Sequence, residues 1–431
     1  MREDRVITPE HIYAKARIFS EGAIIDGEDT PPFAQGLGYL AKARRRNNLC
    51  TIPPIAPQPP EIAPEQVEAI WSATSRVLKA SASESKPSSG MRFTFDGSGL
   101  TTFVHANPYS RLVVEQDGDR VTVMDGKHVL VSGLADESFD WLDEPISNGL
   151  PASTFLPGAS NEILNLIFYL SCDNYNTGRG CKYCNLFSNP LSQMSDVFPM
   201  ALQESWAKHQ AEAVKVAIDH GWNGHIALSG GALPPSARAR YLDLMRLSLE
   251  ALRKELGERV FEELDIVYNH YPPEHFEDMA EWKKMGIKRT AIDLEVMDPA
   301  YFPVICPGKA VYKPHSFWKD AQDASVEVFG SFANTTGNIV LGIEPMSSVL
   351  NGIEERLARG VMPRPVIFCS APNSEYWGFR PPTADWLMEV TERMATQYVE
   401  HIDFGVDSGP IATGPTMLVF DMINQKRQSA A

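Results

Sequence analysis

The chain has 431 residues, 43% of them apolar and 22% charged, which is enough to bury one large core and long enough for two or three domains. Lysine and arginine number 39 against 55 aspartates and glutamates; the resulting formal charge of −16 repels nucleic-acid phosphates and anionic lipid, so neither a nucleic-acid nor a membrane partner is expected. The most apolar stretch, Ile163 to Leu170, is shorter than the roughly 20 residues of a membrane-spanning helix, and MREDRVITPE lacks a signal peptide's apolar segment, which predicts a cytoplasmic protein.

Residues 1–64 carry no sustained hydrophobic period and finish in TIPPIAPQPPEIAP, whose prolines favour an extended path; they read as an N-terminal arm and linker. A helix over 65–82 and the polar break SASESKPSSG open a small α+β domain predicted over 65–157. Within it, RLVVEQ, DRVTVM and KHVLVSG are separated by Asp117-Gly118 and Asp125-Gly126, pairs that accept the positive φ of tight hairpins, so a β-meander is predicted. The meander reads as a packing or dimerisation element, with a homodimer through this domain as the expected assembly.

From 158 to 405, apolar runs of strand length alternate with amphipathic helices. The strand candidates are Ile163 to Leu170, His225 to Ser229, Leu264 to Asn269, Thr290 to Val296, Asn338 to Ile343 and Pro365 to Cys369. Leu242, Met245, Leu249, Leu252 and Leu256 form one helical stripe, and Leu387, Val390, Met394 and Tyr398 another, while 406–431 reads as a C-terminal tail. The fold class predicted is α/β, a partial (βα)6 TIM-type barrel behind an N-terminal extension that contains the small β-meander. A doubly wound sheet is the alternative, and both architectures put ligands at the C-terminal ends of the strands.

Six cysteines are too few for a disulfide scaffold, and Cys172, Cys181 and Cys184 cluster directly after the first strand candidate. Three thiolates can hold three irons of a cuboidal 4Fe–4S cluster and leave the fourth iron open to a ligand that is not protein. Gly178 and Gly180 let the loop fold tightly, and Asn174 and Asn176 are candidate donors to cluster sulfides. The same three thiols also suit Zn²⁺, with His220, His225 or water as fourth ligand, or can stay unliganded; spacing by itself leaves all three readings open. Cys50, Cys306 and Cys369 are scattered, so no second cluster is expected.

With Cys181-Lys182-Tyr183-Cys184 closing the motif, the segment resembles the radical S-adenosylmethionine (radical SAM) superfamily, in a variant C-x8-C-x2-C spacing and similar to biotin-synthase-related members. The resemblance implies one 4Fe–4S cluster on Cys172, Cys181 and Cys184, and S-adenosyl-L-methionine (SAM) chelated to the open iron by its amine and carboxylate. It further implies reductive cleavage of SAM to a 5′-deoxyadenosyl radical, hydrogen abstraction from a small-molecule substrate, and an electron donor such as flavodoxin or ferredoxin. Tyr183 takes the place of the aromatic residue near adenine. Ser229, Gly230 and Gly231 resemble the second-strand motif that meets the amino group of SAM, with Ala232 where that motif has a glutamate. Gly342 and Glu344 resemble the fifth-strand segment beside adenine. Glu295, in the segment from Leu294 through Lys309, resembles the fourth-strand region that approaches the ribose and the methionine moiety.

Tyr268, Asn269, His270, Glu295, Glu344 and Asn373 are candidates to line the pocket, and Arg364 and Arg380 are candidate partners of a carboxylate or merely surface residues. Cys306, His270 and Glu295 are the candidate catalytic residues. Cys306 reads as a thiol that donates hydrogen or contacts substrate, since CPGK looks like a turn at the functional end, although Cys306 and Cys369 read equally as buried free thiols. Two further readings are modification of a peptide or protein, with the meander as recognition domain, and a zinc-stabilised binding protein without redox chemistry.

Overall fold

A computed structural model of the chain describes residues 6–25, 90–105, 107, 109–135, 140–156, 162–169, 172–184, 200–370, 374–404 and 417–430. The Pro-rich linker, the helix read over 65–82, Cys50 and Asn373 lie outside the described residues.

The N-terminal sheet contains β1 (Ile24–Ile25), β2 (Gly90–Phe95), β3 (Thr101–His105), β4 (Leu112–Asp117), β5 (Arg120–Asp125) and β6 (His128–Ala135) in the order β1-β4-β5-β6-β2-β3. The predicted meander is β4 to β6, with Gly118 and Gly126 at φ +58° and +61° in its two hairpins. Alternate residues such as Leu112, Val114, Val121 and Val123 are buried, as a sheet covered on one side requires. Part of the cover comes from a segment expected to be an arm. Pro9–Glu21 is a helix, started by a capping box between Thr8 and His11, that buries Ile12, Ala16, Ile18 and Phe19. It packs against β3 and the C-terminal helices Ala384–His401 and Leu418–Ala430, so the residues expected as a tail are core as well. Lys15 and Asp421 form a buried ion pair at 2.5 Å across this junction.

The second sheet contains β7 (Ile163–Tyr169), β8 (His225–Gly230), β9 (Ile266–Asn269), β10 (Arg289–Ala291), β11 (Phe332–Leu341) and β12 (Val361–Ile367). All pairings are parallel and the spatial order is the chain order, without the reversal that defines a doubly wound sheet. The six strands correspond to the six predicted, with shifts of extent; β12, for one, starts four residues before the predicted Pro365 and ends two before Cys369. β10 stops at Ala291 although the apolar run continues to Val296, and β11 begins at Phe332, six residues before the predicted start.

Tyr268 stacks on Trp282 at 3.9 Å and the Thr290 hydroxyl meets Ser325, so these side chains point to the helical layer. Their sequence neighbours Asn269 and Ala291 therefore face the opposite, inner side. Register pairing brings Ile167 and Ser229 to the same inner face, as it does Asn338 and Arg364. Among the described residues no helix is long and apolar enough to cross a membrane.

Candidate functional site

Immediately beyond β7, Cys172 precedes the short helix Asp173–Asn176, and the chain loops back through Cys181 to Cys184. Four backbone hydrogen bonds fix this loop to the segments that follow other strands. The Asp173 amide donates to the Ala232 carbonyl at 2.8 Å after β8. Lys182 N–H donates to Ile305 at 2.9 Å and Gly308 N–H to Arg179 at 3.0 Å, both in the connection after β10. The Tyr376 amide donates to Lys182 at 2.8 Å after β12. The cysteines thus lie where loops gather at the C-terminal ends of the parallel strands.

Two glycines are required for this closeness. A Cβ on Gly308 would stand 2.1 Å from Asn174 Cγ, so the helix Pro307–Tyr312 approaches the cysteine loop to a distance only glycine permits. A Cβ on Gly230 would stand 2.9 Å from the Tyr169 carbonyl, which lets the end of β8 lie against the end of β7. CPGK is the start of this helix and not the expected turn: Pro307 occupies its first position, where a missing N–H costs nothing.

Cys172, Cys181 and Cys184 are half-buried and Cys306 is fully buried. The Cys306 thiol hydrogen-bonds with Cys181, which together with the nearby Lys309 ammonium holds Cys181 below the usual thiol range. Burial pushes Cys172 and Cys306 upward. The Tyr183 hydroxyl is 3.9 Å from Cys306 Sγ and lies beside Glu295. Lys309, absent from the predicted site, ties these groups together: Nζ donates to Glu295 Oε1 at 3.0 Å and to the Asp293 carbonyl at 2.6 Å, and sits 4.8 Å over the Trp318 ring. Burial opposes charge on Lys309, yet Glu295 holds its ammonium above the usual lysine value. Glu295 itself is raised by burial and partly restored by Lys309.

Glu295 also explains why β10 ends early. Its φ of +71° is left-handed, a conformation that costs a non-glycine residue about 1 kcal/mol or more, and it turns the chain while its amide and carbonyl still pair with β11 at 2.9 Å each. Tyr271, also missed, hydrogen-bonds with the Asn174 amide and lies near Cys172 and Cys181.

The remaining candidates divide by place. His270 is buried, with Nε2 2.8 Å from the Gly231 carbonyl, and burial lowers its pKa to about 4, so the ring is neutral and donates from Nε2. Ser229 and Gly230 end β8, beside the Gly231 amide. Glu344 accepts from the Met297 and Asp298 amides, both at 2.8 Å, and burial raises its pKa to about 7. Gly342, at φ +95°, lies against Pro382. Cys369 is half-buried near the Ile367 carbonyl, and Arg380 is exposed. His220 and His225, weighed as fourth zinc ligands, lie at the other end of the sheet: His225 opens β8 and pairs with Ile163, about 20 Å from the end of β7 by strand rise.

Among the described residues no three His, Cys, Asp or Glu side chains converge to the spacing of a single-ion site. Three soft thiols beside a cation, on a loop held by glycines at its closest approaches, are a donor set whose chemistry fits a 4Fe–4S cluster.

Fold and loop together define an α/β protein whose site is assembled from loops at the C-terminal ends of sequential parallel strands. No family model matches the chain. It is 40% identical over 324 residues to the bacteriochlorophyllide c C-7(1)-hydroxylase of Chlorobaculum limnaeum, across 74% of this chain and 81% of that protein. The chain belongs to the family of that hydroxylase, a family of enzymes.

Proposed function

We propose that the protein is a cytoplasmic radical SAM enzyme of the variant C-x8-C-x2-C kind, built on a partial (βα)6 TIM-type barrel, that abstracts hydrogen from a small-molecule substrate of the bacteriochlorophyllide class. The observation that carries this reading is the Cys172, Cys181 and Cys184 loop, pinned at the C-terminal end of the first of six sequential parallel strands in a chain 40% identical to a bacteriochlorophyllide hydroxylase. Cys172, Cys181 and Cys184 hold the 4Fe–4S cluster in this reading. When bound, the cluster and SAM supply the electron transfer and sulfonium cleavage that give a 5′-deoxyadenosyl radical, with flavodoxin or ferredoxin as electron source.

The chain's own residues then position and protect. Tyr183 lies along adenine, and Ser229, Gly230 and Gly231 receive the amino group of SAM. Glu344 shapes the adenine side by holding the turn at Met297 and Asp298, and Gly342 completes that side. The Lys309 ammonium compensates thiolate charge and fixes Glu295, which leaves Glu295 oriented beside Tyr183. Neutral His270 braces the Gly231 carbonyl and cannot supply a proton near neutral pH. Cys306, buried against Cys181 and Tyr183, keeps water from the loop. The N-terminal sheet is the surface proposed for a homodimer.

The test is anaerobic turnover with bacteriochlorophyllide c, SAM and dithionite, followed by mass analysis of the pigment. A product heavier by one oxygen atom drawn from water, formed with one methionine and one 5′-deoxyadenosine as SAM takes up the two electrons, and absent when SAM is omitted, is the expected result. An unchanged pigment beside SAM that is cleaved would assign a different substrate.

A further inference from the structure

The inner face of the parallel sheet holds a cation that folding does not account for. Among the described residues, every other lysine or arginine that is not exposed has a hydrogen bond, an ion pair or a ring contact; Arg364 has none. Arg289 on the same sheet is forked onto Asp265, Arg92 onto Glu162, and Lys309 is bonded to Glu295. Arg364 is hydrogen-bonded to no acid among the described residues.

Asp293 is the acid that attracts it, without a hydrogen bond between them, and each Asp293 oxygen accepts from another group. Oδ2 accepts from the Asn269 side chain at 2.8 Å and Oδ1 from the Asn338 amide at 2.8 Å. Asn338 is the register partner of Arg364, so the two share the inner face, where the guanidinium acts on Arg289 and on His225. Burial and Arg289 disfavour its charge. An arginine cannot shed its proton at any ordinary pH, so the half-buried guanidinium stays cationic and open to a ligand that reaches the inner face.

We propose that Arg364 is the receptor for a carboxylate of the substrate. The proposal rests on the bacteriochlorophyllide reading above and deepens it, because the chlorophyllide form of such a pigment is the free acid. A planar guanidinium matches a carboxylate with two parallel hydrogen bonds, which fixes orientation as well as supplying charge. Arg364 is three residues short of the end of β12, about 10 Å below the strand ends by strand rise. Specificity for the acid over its esters follows, since an ester carries no charge to pair with the guanidinium.

The experiment titrates the anaerobically reconstituted full-length protein with bacteriochlorophyllide c and with its methyl ester, following pigment absorbance, and measures SAM affinity separately. Wild type should bind the acid about 10- to 100-fold more tightly than the ester. Arg364→Gln should bind both as weakly as wild type binds the ester, Arg364→Lys should recover part of the preference, and SAM affinity should be unchanged in both variants. Equal binding of acid and ester by wild type would overturn the inference while leaving the substrate class intact, and needs no variant to fold. Loss of SAM affinity in Arg364→Gln would reassign the arginine to the cofactor and also overturn it. Failure of wild type to bind either pigment would remove the substrate reading and this inference with it.

Discussion

The two sheets of this molecule use their polar residues differently. In the antiparallel sheet, polar groups do structural work: Arg17 ties the N-terminal helix to Asp125 at 2.9 Å, Arg120 pairs with Asp96, and Thr122 meets Ser132 across the ladder at 3.2 Å. At the C-terminal end of the parallel sheet, thiols, a buried lysine, a strained glutamate and a row of half-buried amides converge although none is needed to form a strand. The contrast separates framework from function, because groups that carry a desolvation cost without serving the fold concentrate at one end of one sheet.

The comparison breaks first, and by the largest margin, at the cysteines. Alanine at Cys172, Cys181 or Cys184 is expected to abolish product formation and lower bound iron sharply while circular dichroism and melting temperature hold. Iron content and activity that survive would return these residues to the framework. The converse test is Lys15→Ala, which strands the buried Asp421 carboxylate and should cost about 3–5 kcal/mol in denaturant unfolding without changing activity per folded molecule. Lys309→Met should lower turnover about 10- to 100-fold, with iron binding weakened, since it removes the cation that supports Cys181 and orients Glu295.

The smallest effect is one of pH. Because the Glu344 pKa is raised from 4.5 to about 7, its contribution is fully favourable below pH 4.5 and is lost as pH rises through 7. Glu344→Gln should flatten that part of the stability profile, at a cost of about 1 kcal/mol, because the glutamine NH2 cannot accept and one of the two backbone hydrogen bonds is lost. A profile that keeps its slope in the variant would place the titration elsewhere.

Much of the framework was legible. Strand-length apolar runs and the stripe from Leu242 to Leu256 announce the parallel sheet and its cover, and the Asp-Gly pairs announce the meander. The helix Pro9–Glu21 escaped because half of its buried face is Ala14, Lys15 and Ala16, which carry almost no hydrophobic signal. The start of β11 escaped because Thr335 and Thr336 are polar in sequence but spend their hydroxyls on the Gly330 and Thr290 carbonyls. At the candidate site, the clustering of three cysteines directly after the first strand was readable from spacing, which left iron–sulfur, zinc and free thiols open. The pairing of Lys309 with Glu295 was not, because it depends on a left-handed turn inside an apolar run.

The central claim is most directly tested by anaerobic reconstitution with iron and sulfide, followed by SAM and dithionite, and measurement of 5′-deoxyadenosine. The account predicts a cluster-bearing protein that forms 5′-deoxyadenosine, and a Cys181→Ala protein that does neither. An intact cluster with no 5′-deoxyadenosine above background would contradict it.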